Sequence, residues 1–371
     1  PGGEKPGRLD IVHSHSPFVA GRLAARTAHR YGALHVTTFH SKYRDDFLKS
    51  VPLEGAADLF VSWIIKFYDS ADAVWAPSEA TAETLKSYGF SGPVTVMPNG
   101  ADLEPPDEEG YRAYRSWGAE LLGLDRAAGA GRRGVPDGAE PFILLFVGQH
   151  RWEKNLRLII DGLAALDRQP PGGVLTVFAG TGADAEEIEE YAEKKGVREL
   201  CRFHGLVLDR EKLKALYARA DLFLFPSLYD NAPLVLREAA AFRAPAVLAA
   251  HSNAARDTVD GRNAFHVEPK AQALARLVTS LAGDRDRVGE VGARAQTEVY
   301  RSWEGIVEEV AERYAELLAR AGGGAGAGEG SATRAEPGEH AGTGAEPGEH
   351  ADTTGEAGEG APGDRGEVSD S

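Results

Sequence analysis

The chain has 371 residues, 42% apolar and 26% charged, with a formal net charge of −16. This is ordinary globular composition with room for about two domains, and no apolar run approaches the roughly 20 residues needed to span a bilayer. Residues 321–371 hold 11 acidic and 2 basic side chains, a net of −9 that leaves −7 for the rest. A mildly acidic body argues against a nucleic-acid partner, since binding a phosphate backbone normally needs a basic face.

A single cysteine, Cys201, excludes an intrachain disulfide and suits a reducing cytoplasm, although it serves equally as a small core residue. The sequence opens on PGGEKPGR, without Met or a targeting peptide, and enters a strand at once. The pattern predicts a strand over 10–13, a helix over 17–30 with its small residues and Leu23 inward, and a strand over 35–39, a βαβ rhythm. His13 and His15 are read as pointing to opposite faces of their strand, a poor metal chelate. His15 follows the strand end and precedes Pro17, the position of a loop residue facing a cleft. His40 is a second cleft candidate, structural or acceptor-side. Arg44, Asp45 and Asp46 imitate a D-x-D metal motif with the wrong spacing.

An amphipathic helix, a strand over 73–76 and a helix over 79–86 capped by Ser78 follow between residues 58 and 88. GPVTVMPNGAD then reads as a strand and a turn at Pro98, Asn99 and Gly100. Residues 103–140 combine a helix-like piece near 111–122 with RAAGAGRRGVPDGAE, a loop or linker composition. The apolar strand 142–147 runs into Gly148 and a helix, a general phosphate-loop arrangement whose glycine spacing fits neither the dinucleotide nor the P-loop pattern. GGVLTVFAGTGADAEEIEEYAEKKGV supplies a strand, the Gly180-x-Gly182 turn and an acidic helix. CRFHGLV is another strand and turn, and 212–219 a helix.

The chain is organised around ADLFLFPSLYDNAPLVLREAAAFRAPAVLAA, residues 220–250. The run 221–225 suits a strand buried on both faces of a parallel sheet. Asn231 is expected to N-cap a helix with Pro233 in its first turn, ending near Phe242, and 246–249 is the next strand. The loop 228–232 thus lies at the carboxyl end of a strand, where open α/β folds place ligands, beside free helix N-terminal amides. Asp230 sits at that mouth, with Glu238 about two turns on. As acid and nucleophile of a hydrolase they would have to converge to about 5 to 9.5 Å across one bond; their spacing instead strings them along one ligand. Between 284 and 318 two helices follow, and Trp303, Ile306, Val307, Val310, Tyr314 and Leu317 form one apolar packing face. The Gly-, Ala- and Glu-rich tail, with AEPGEHA at 335 and again at 345, reads as disordered.

PS-LYDNAPLVLREA-A resembles the E-x7-E signature of family-4 retaining glycosyltransferases, with Asp230 in place of the first Glu and Glu238 matching the second. HSHSPFVAGRLAARTAHRYGALHVTTFHSKYRDDF is similar to the acceptor-side domain of that family, notably its bacterial glycolipid-type members. GQHRWEKN resembles its G-R-x4-K-[NG] element. The resemblance spans residues 9 to about 318 and rests on the whole set of motifs.

It implies an α/β fold of two Rossmann-like domains facing across a cleft, the glycosyltransferase-B architecture, with the first domain N-terminally truncated. The implied organisation is a partial acceptor-side domain over 1–105, an interdomain segment over 106–140 and a nucleotide-sugar-binding domain over 141–285. Terminal helices over 286–320 would cross back to the first domain, ahead of the tail over 321–371. The implied activity is retaining transfer of a sugar from a UDP- or GDP-sugar to an unknown acceptor, a lipid or glycolipid being the suggested class. Transfer would be cytoplasmic, with peripheral contact at the inner face of a membrane, without nucleic acid, and with no cofactor or essential metal. By the same resemblance His15 contacts the reacting sugar and Asp230 orients it. Asn231, Ala232, Pro233 and Leu234 address the donor, and Glu238 anchors the ribose. Lys154 neutralises the diphosphate. Gln149 replaces the family's arginine, with Arg151 as its substitute, and Gly148, Gly180, Gly182 and His204 frame the donor. The alternative is a nucleotide-sugar-binding relic without turnover, or a truncated fragment.

Overall fold

The structure, a computed structural model, describes residues 9–51, 53–124, 140–167, 170 and 172–323. The opening PGGEKPGR, almost all of RAAGAGRRGVPDGAE and the tail from 324 onward lie outside the described residues.

Two parallel sheets carry the chain. The first has four strands in the order β1 (Ile11–Ser14), β2 (Leu34–Thr38), β3 (Ala73–Ala76), β4 (Val94–Val96). They are linked by α1 (Val19–Tyr31), α2 (Tyr43–Ser50), α3 (Glu54–Asp69) and α4 (Glu79–Ser87). Ser78 caps α4 by accepting from the Thr81 amide at 3.1 Å, as a Ser placed just before a helix does. On α1 the buried side is made by Gly21 and Ala28, and Leu23 faces outward at 64% exposure, against the expected inward placement. A Cβ at Gly21 would lie 1.7 Å from the Ser16 carbonyl oxygen, so small residues let α1 approach the loop that precedes it, and Leu23 falls on the other side.

The second sheet contains β5 (Phe142–Val147), β6 (Val174–Ala179), β7 (Cys201–Gly205), β8 (Leu222–Phe225), β9 (Ala246–Ala249) and β10 (Phe265–Val267), all parallel, in the order β10-β9-β8-β5-β6-β7. Its helices are α5 (Glu108–Leu121), α6 (Leu156–Ala164), α7 (Ala185–Lys194), α8 (Arg210–Arg219), α9 (Leu234–Ala241), α10 (Asn253–Arg256), α11 (Ala271–Ala282) and α12 (Arg285–Glu298). β5 and β8 are buried on both faces, which is why they read as unbroken apolar runs. Residues 108–121 lie within the expected interdomain segment; as α5 they pack on α8, close enough that a Cβ on Gly118 would be 2.2 Å from the Ala215 carbonyl oxygen.

One carboxylate gathers this side of the sheet. Asp221, at the entry to β8, accepts from the Ile143 amide at 2.7 Å and pairs with Arg219 at 3.2 Å, Arg115 at 3.3 Å and Arg285 at 3.0 Å. Arg219 is fully buried and reaches Glu140 at 2.6 Å as well. The ion pairs therefore tie α5, α8, β5 and α12 to one point.

After α12 the chain returns to the first sheet. The Ala101 amide donates to the Arg301 carbonyl at 2.8 Å, and a Cβ on Gly100 would lie 2.6 Å from the Trp303 backbone. α13 (Trp303–Gly323) then packs Ile306, Val310, Tyr314 and Leu317 around Val36, Trp75 and Met97. Val307 is 61% exposed and stands outside the face predicted for it, because the buried stripe follows the i, i+4, i+8 row of 306, 310 and 314.

Candidate active site

Reading outward from β5 in the second sheet, β6 and β7 lie on one side and β8, β9 and β10 on the other. The chain therefore reverses direction between β5 and β8, and the loops leaving these two strands diverge around a crevice at their carboxyl ends. Those loops are Gly148 to Asn155 and Pro226 to Pro233.

They meet through two contacts. Lys154 donates to Asp230 Oδ1 at 2.6 Å, each side chain about one-fifth exposed. Asn155, with φ 59° in the left-handed region that Asn tolerates, donates from Nδ2 to the Pro226 carbonyl at 3.1 Å. Asp230 Oδ2 is buried and takes no hydrogen bond from any described residue. Burying a carboxylate oxygen without a donor is costly, so this atom is poised to accept from a hydroxyl brought into the crevice.

The helix after β8 starts later than the sequence suggested. α9 begins at Leu234 with Pro233 at the N-cap position and no side-chain cap, so Asn231 does not cap it. Asn231 instead bridges the two halves. Its Nδ2 donates to the His40 carbonyl at 3.3 Å, its Oδ1 accepts from Asn253 at 2.9 Å, and its carbonyl accepts from Ser78 Oγ at 3.4 Å. With these hydrogen bonds satisfied elsewhere, the cap is left to the backbone. Glu238 is four residues into α9, about 6 Å along the axis from its start, rather than two turns from Asp230. It accepts from the fully buried Tyr217 hydroxyl at 3.0 Å. Burial raises the Glu238 pKa above the usual carboxylate value, and the Tyr217 hydrogen bond works against that rise.

The glycines of the β6 loop have a definite task. A Cβ at Gly180, whose φ is 142°, would lie 1.9 Å from the Gly148 carbonyl oxygen, and one at Gly182 would lie 2.4 Å from that of His150. They admit the β5 loop to close quarters with the β6 loop, where the Gly148 amide donates to Ala179 and the His150 amide to Thr181, both at 3.0 Å. Gln149 and Arg151 are exposed, and Arg151 lies 3.6 Å from Glu153; among the described residues neither side chain hydrogen-bonds to or ion-pairs with Lys154 or Asp230. His204 is half-buried near the end of β7, one residue before Gly205 at φ 75°.

From the first sheet, the loops after β1 and β2 bring histidines to the crevice. His15 Nδ1 and His40 Nε2 are 3.0 Å apart. The His13 and His15 rings stack with centroids 4.5 Å apart and planes 18° from parallel. The opposite-face reading of this pair is thus corrected: side chains two residues apart share a strand face. His13 is held on both nitrogens, by Tyr314 Oη at 2.5 Å and Thr38 Oγ1 at 2.8 Å. Burial, with the neighbouring His15, His40 and His35, pulls its pKa down to about 4, and burial also lowers those of His15 and His40. The stack is therefore neutral near neutral pH. Among the described residues no three His, Cys, Asp or Glu side chains are grouped to hold a metal ion.

Between the two halves lies a cavity of about 200 Å³ lined by His40, Lys42, Asp46, Tyr229, Asp230 and Asn231 among others. Lys42 rests over the Tyr229 ring at 5.5 Å, and the Tyr229 hydroxyl donates to Asp46. Sequence reasoning passed over Tyr229, Lys42 and Tyr217. Tyr229 lies next to Asp230 in the quoted motif, which was an available signal; nothing in the sequence pairs Tyr217 with Glu238.

Two Rossmann-like parallel-sheet domains with their strand ends facing one crevice define the glycosyltransferase-B class. The description "Glycosyl transferases group 1" matches residues 132–298, and "Glycosyltransferase Family 4" matches residues 4–105. The D-inositol 3-phosphate glycosyltransferase of Nocardia farcinica is 30% identical over 340 residues, covering 86% of this chain and 70% of the relative. The chain belongs to this glycosyltransferase family. A glycogen synthase of Mycobacterium tuberculosis is 30% identical over 286 residues, 76% of this chain, and the match spans 62% of that relative's length. In architecture the chain is similar to Anabaena HepE crystallised in complex with UDP, with a TM-score of 0.65 at 19% identity over 83% of this chain and 79% of that one.

Proposed function

We propose that the protein transfers a sugar from a nucleoside-diphosphate sugar to an acceptor bound on the side of the first sheet, with retention of anomeric configuration. The observation that carries this reading is the Lys154–Asp230 pair at the point where the second sheet changes direction, with one Asp230 oxygen buried and unpartnered among the described residues. A cation and a set of helix N-terminal amides suit a diphosphate, and the spare carboxylate oxygen suits a sugar hydroxyl. Glu238 on α9, held by Tyr217 of α8, is positioned for a ribose.

Bond cleavage then leaves charge on the diphosphate. Lys154 and the amides at the start of α9 counter it by preorganised dipoles, which in a water-poor cleft act more strongly than in solution. His15 is neutral, with Nδ1 engaged by His40, so it offers its remaining nitrogen to the reacting sugar without adding charge. The acceptor is proposed to be a lipid or glycolipid, because the loop carrying His15 continues into exposed aromatic and apolar surface at Phe18 and Val19.

The test is turnover with a panel of uridine- and guanosine-diphosphate sugars, following nucleotide release with and without lipid acceptors. Release that depends on an acceptor supports transfer. Tight donor binding with no release for any acceptor would instead support the binding-only reading.

A further inference from the structure

Tyr314 carries α13 to the histidines that follow β1. Its ring stacks on Trp75 of β3 with centroids 5.4 Å apart and meets the His13 ring edge-on at 5.9 Å. Its hydroxyl lies 2.5 Å from His13 Nδ1, across 301 positions of sequence. Packing accounts for the Tyr314 ring, since Ile306, Val310 and Leu317 meet the first sheet in the same way. It does not account for the hydroxyl, which a phenylalanine at this position would lack.

His13 is left with no freedom to rotate. Tyr314 engages its Nδ1, the hydroxyl of buried Thr38 engages Nε2 at 2.8 Å, and the Trp75 ring abuts it edge-on at 5.0 Å. A neutral imidazole offers one donor and one acceptor, and two hydroxyls satisfy either tautomer. The fixed ring is a platform for His15, which stacks on it at 4.5 Å with planes 18° apart. Among the described residues the other side chain that holds the His15 ring is His40, whose Nε2 is 3.0 Å from His15 Nδ1. His15 is itself exposed, so without these two supports its rotamers would be open and fixing it would cost entropy.

We propose that Tyr314 is a positioning residue for His15: its hydroxyl fixes the plane of His13, and the stack passes that plane on to the histidine that faces the reacting sugar. The catalytic meaning rests on the role given to His15 in the function proposed above. The geometry of the stack does not depend on that role. Tyr314→Phe removes the hydroxyl and keeps the ring on Trp75, so His13 Nδ1 loses its partner and the platform can tilt. A displacement of about 1 Å in a reacting site can cost about 100-fold, and a tilt of part of that distance should lower kcat about tenfold. The donor KM should stay within about twofold of the parent's, because Lys154, Asp230 and Glu238 belong to the second sheet's loops and α9.

The experiment compares the 371-residue chain with Tyr314→Phe, His13→Phe, the double variant and Leu317→Ala. Leu317 packs on the same face of α13 without a histidine contact, so Leu317→Ala should lower Tm while kcat stays near the parent's. His13→Phe keeps a flat ring beneath His15 and removes the nitrogen that Tyr314 holds. Adding Tyr314→Phe to it should therefore cost nothing further in kcat, since residues that act through one another are not additive. Nitrogen-15 spectra of the histidine side chains, with the His15 signal assigned by His15→Gln, should show the His15 ring shifted in Tyr314→Phe. The proposal is overturned if Tyr314→Phe keeps the parent's kcat, if Leu317→Ala loses as much kcat as Tyr314→Phe, or if the two aromatic substitutions add. An unchanged His15 signal in Tyr314→Phe also overturns it. That spectrum needs no turnover, so it decides on the positioning role even if no UDP- or GDP-sugar is a donor and the function proposed above fails.

Discussion

Asp230→Asn and Lys154→Ala should move nucleoside-diphosphate affinity in opposite directions, although the two residues form one ion pair. In the free protein Lys154 is held by Asp230 at 2.6 Å, with side chains 19% and 21% exposed. A diphosphate entering the crevice competes for that ammonium group and also meets the Asp230 charge. Charge-assisted hydrogen bonds contribute about 1.5–3 kcal/mol net and fully exposed pairs about 0–1, so a partly screened pair of this kind is worth about 1 kcal/mol. Removing the carboxylate charge should therefore tighten binding of a sugar-free nucleoside diphosphate by about fivefold. Removing Lys154 should loosen it by about tenfold or more, because a desolvated phosphate charge then lacks its partner. Calorimetric titration with UDP and GDP, matched for ionic strength, reads both changes. Transfer should fall in both variants, since Asp230→Asn also weakens the acceptor for a sugar hydroxyl. If Asp230→Asn weakened nucleotide binding as much as Lys154→Ala does, the pair would be a structural unit and the competition argument would fail.

Gly180→Ala would drive a Cβ into the Gly148 carbonyl at a φ of 142°, splaying the β5 and β6 loops; strain of this kind costs about 1–3 kcal/mol, and donor affinity and thermal stability should fall together. Asp221→Ala leaves the fully buried Arg219 with Glu140 as its remaining carboxylate and takes the shared partner from Arg115 and Arg285; loss of one partner of a buried ion pair costs about 3–5 kcal/mol, so Tm should drop by about 10 °C, and an unchanged Tm would refute the network's role. His13 has its pKa lowered by burial and by neighbouring histidines from 6.5 to about 4. The unfolded chain therefore takes up this proton at a higher pH than the folded one, and stability should be level above 6.5 and decline as pH falls towards 4. Denaturant titrations across that window should show a shallower decline for His13→Gln.

Much of the second sheet was legible because its strands are buried on both faces, so 142–147 and 246–249 announce themselves as apolar runs between turn residues. The Ser78 cap was legible for a local reason, since a hydroxyl three residues before a free amide carries its own signal. Asn231 shows where local logic stops: the best capping residue in the loop is taken by His40, Ser78 and Asn253 from distant parts of the chain, and the helix starts three residues later. The same holds for Leu23 and Val307, whose apolar character places them inward by periodicity while small neighbours and a shifted buried stripe leave them outside. In the site, Lys154, Asp230 and Glu238 were reachable through motif resemblance. Their partners were not, since Tyr217 and Tyr229 acquire meaning only when helices and loops distant in sequence are brought together.

The most direct measurement is donor-dependent nucleotide release by the chain and by its Glu238→Ala form, with UDP-sugars first and GDP-sugars beside them. The parent should release nucleotide from at least one donor when an acceptor is supplied. Glu238→Ala should lose most of that rate through a raised KM for the donor, while its melting temperature falls by only a few degrees, about what stranding the buried Tyr217 hydroxyl costs. Equal rates in the two proteins would contradict the placement of the donor on α9 and the loops of β5 and β8.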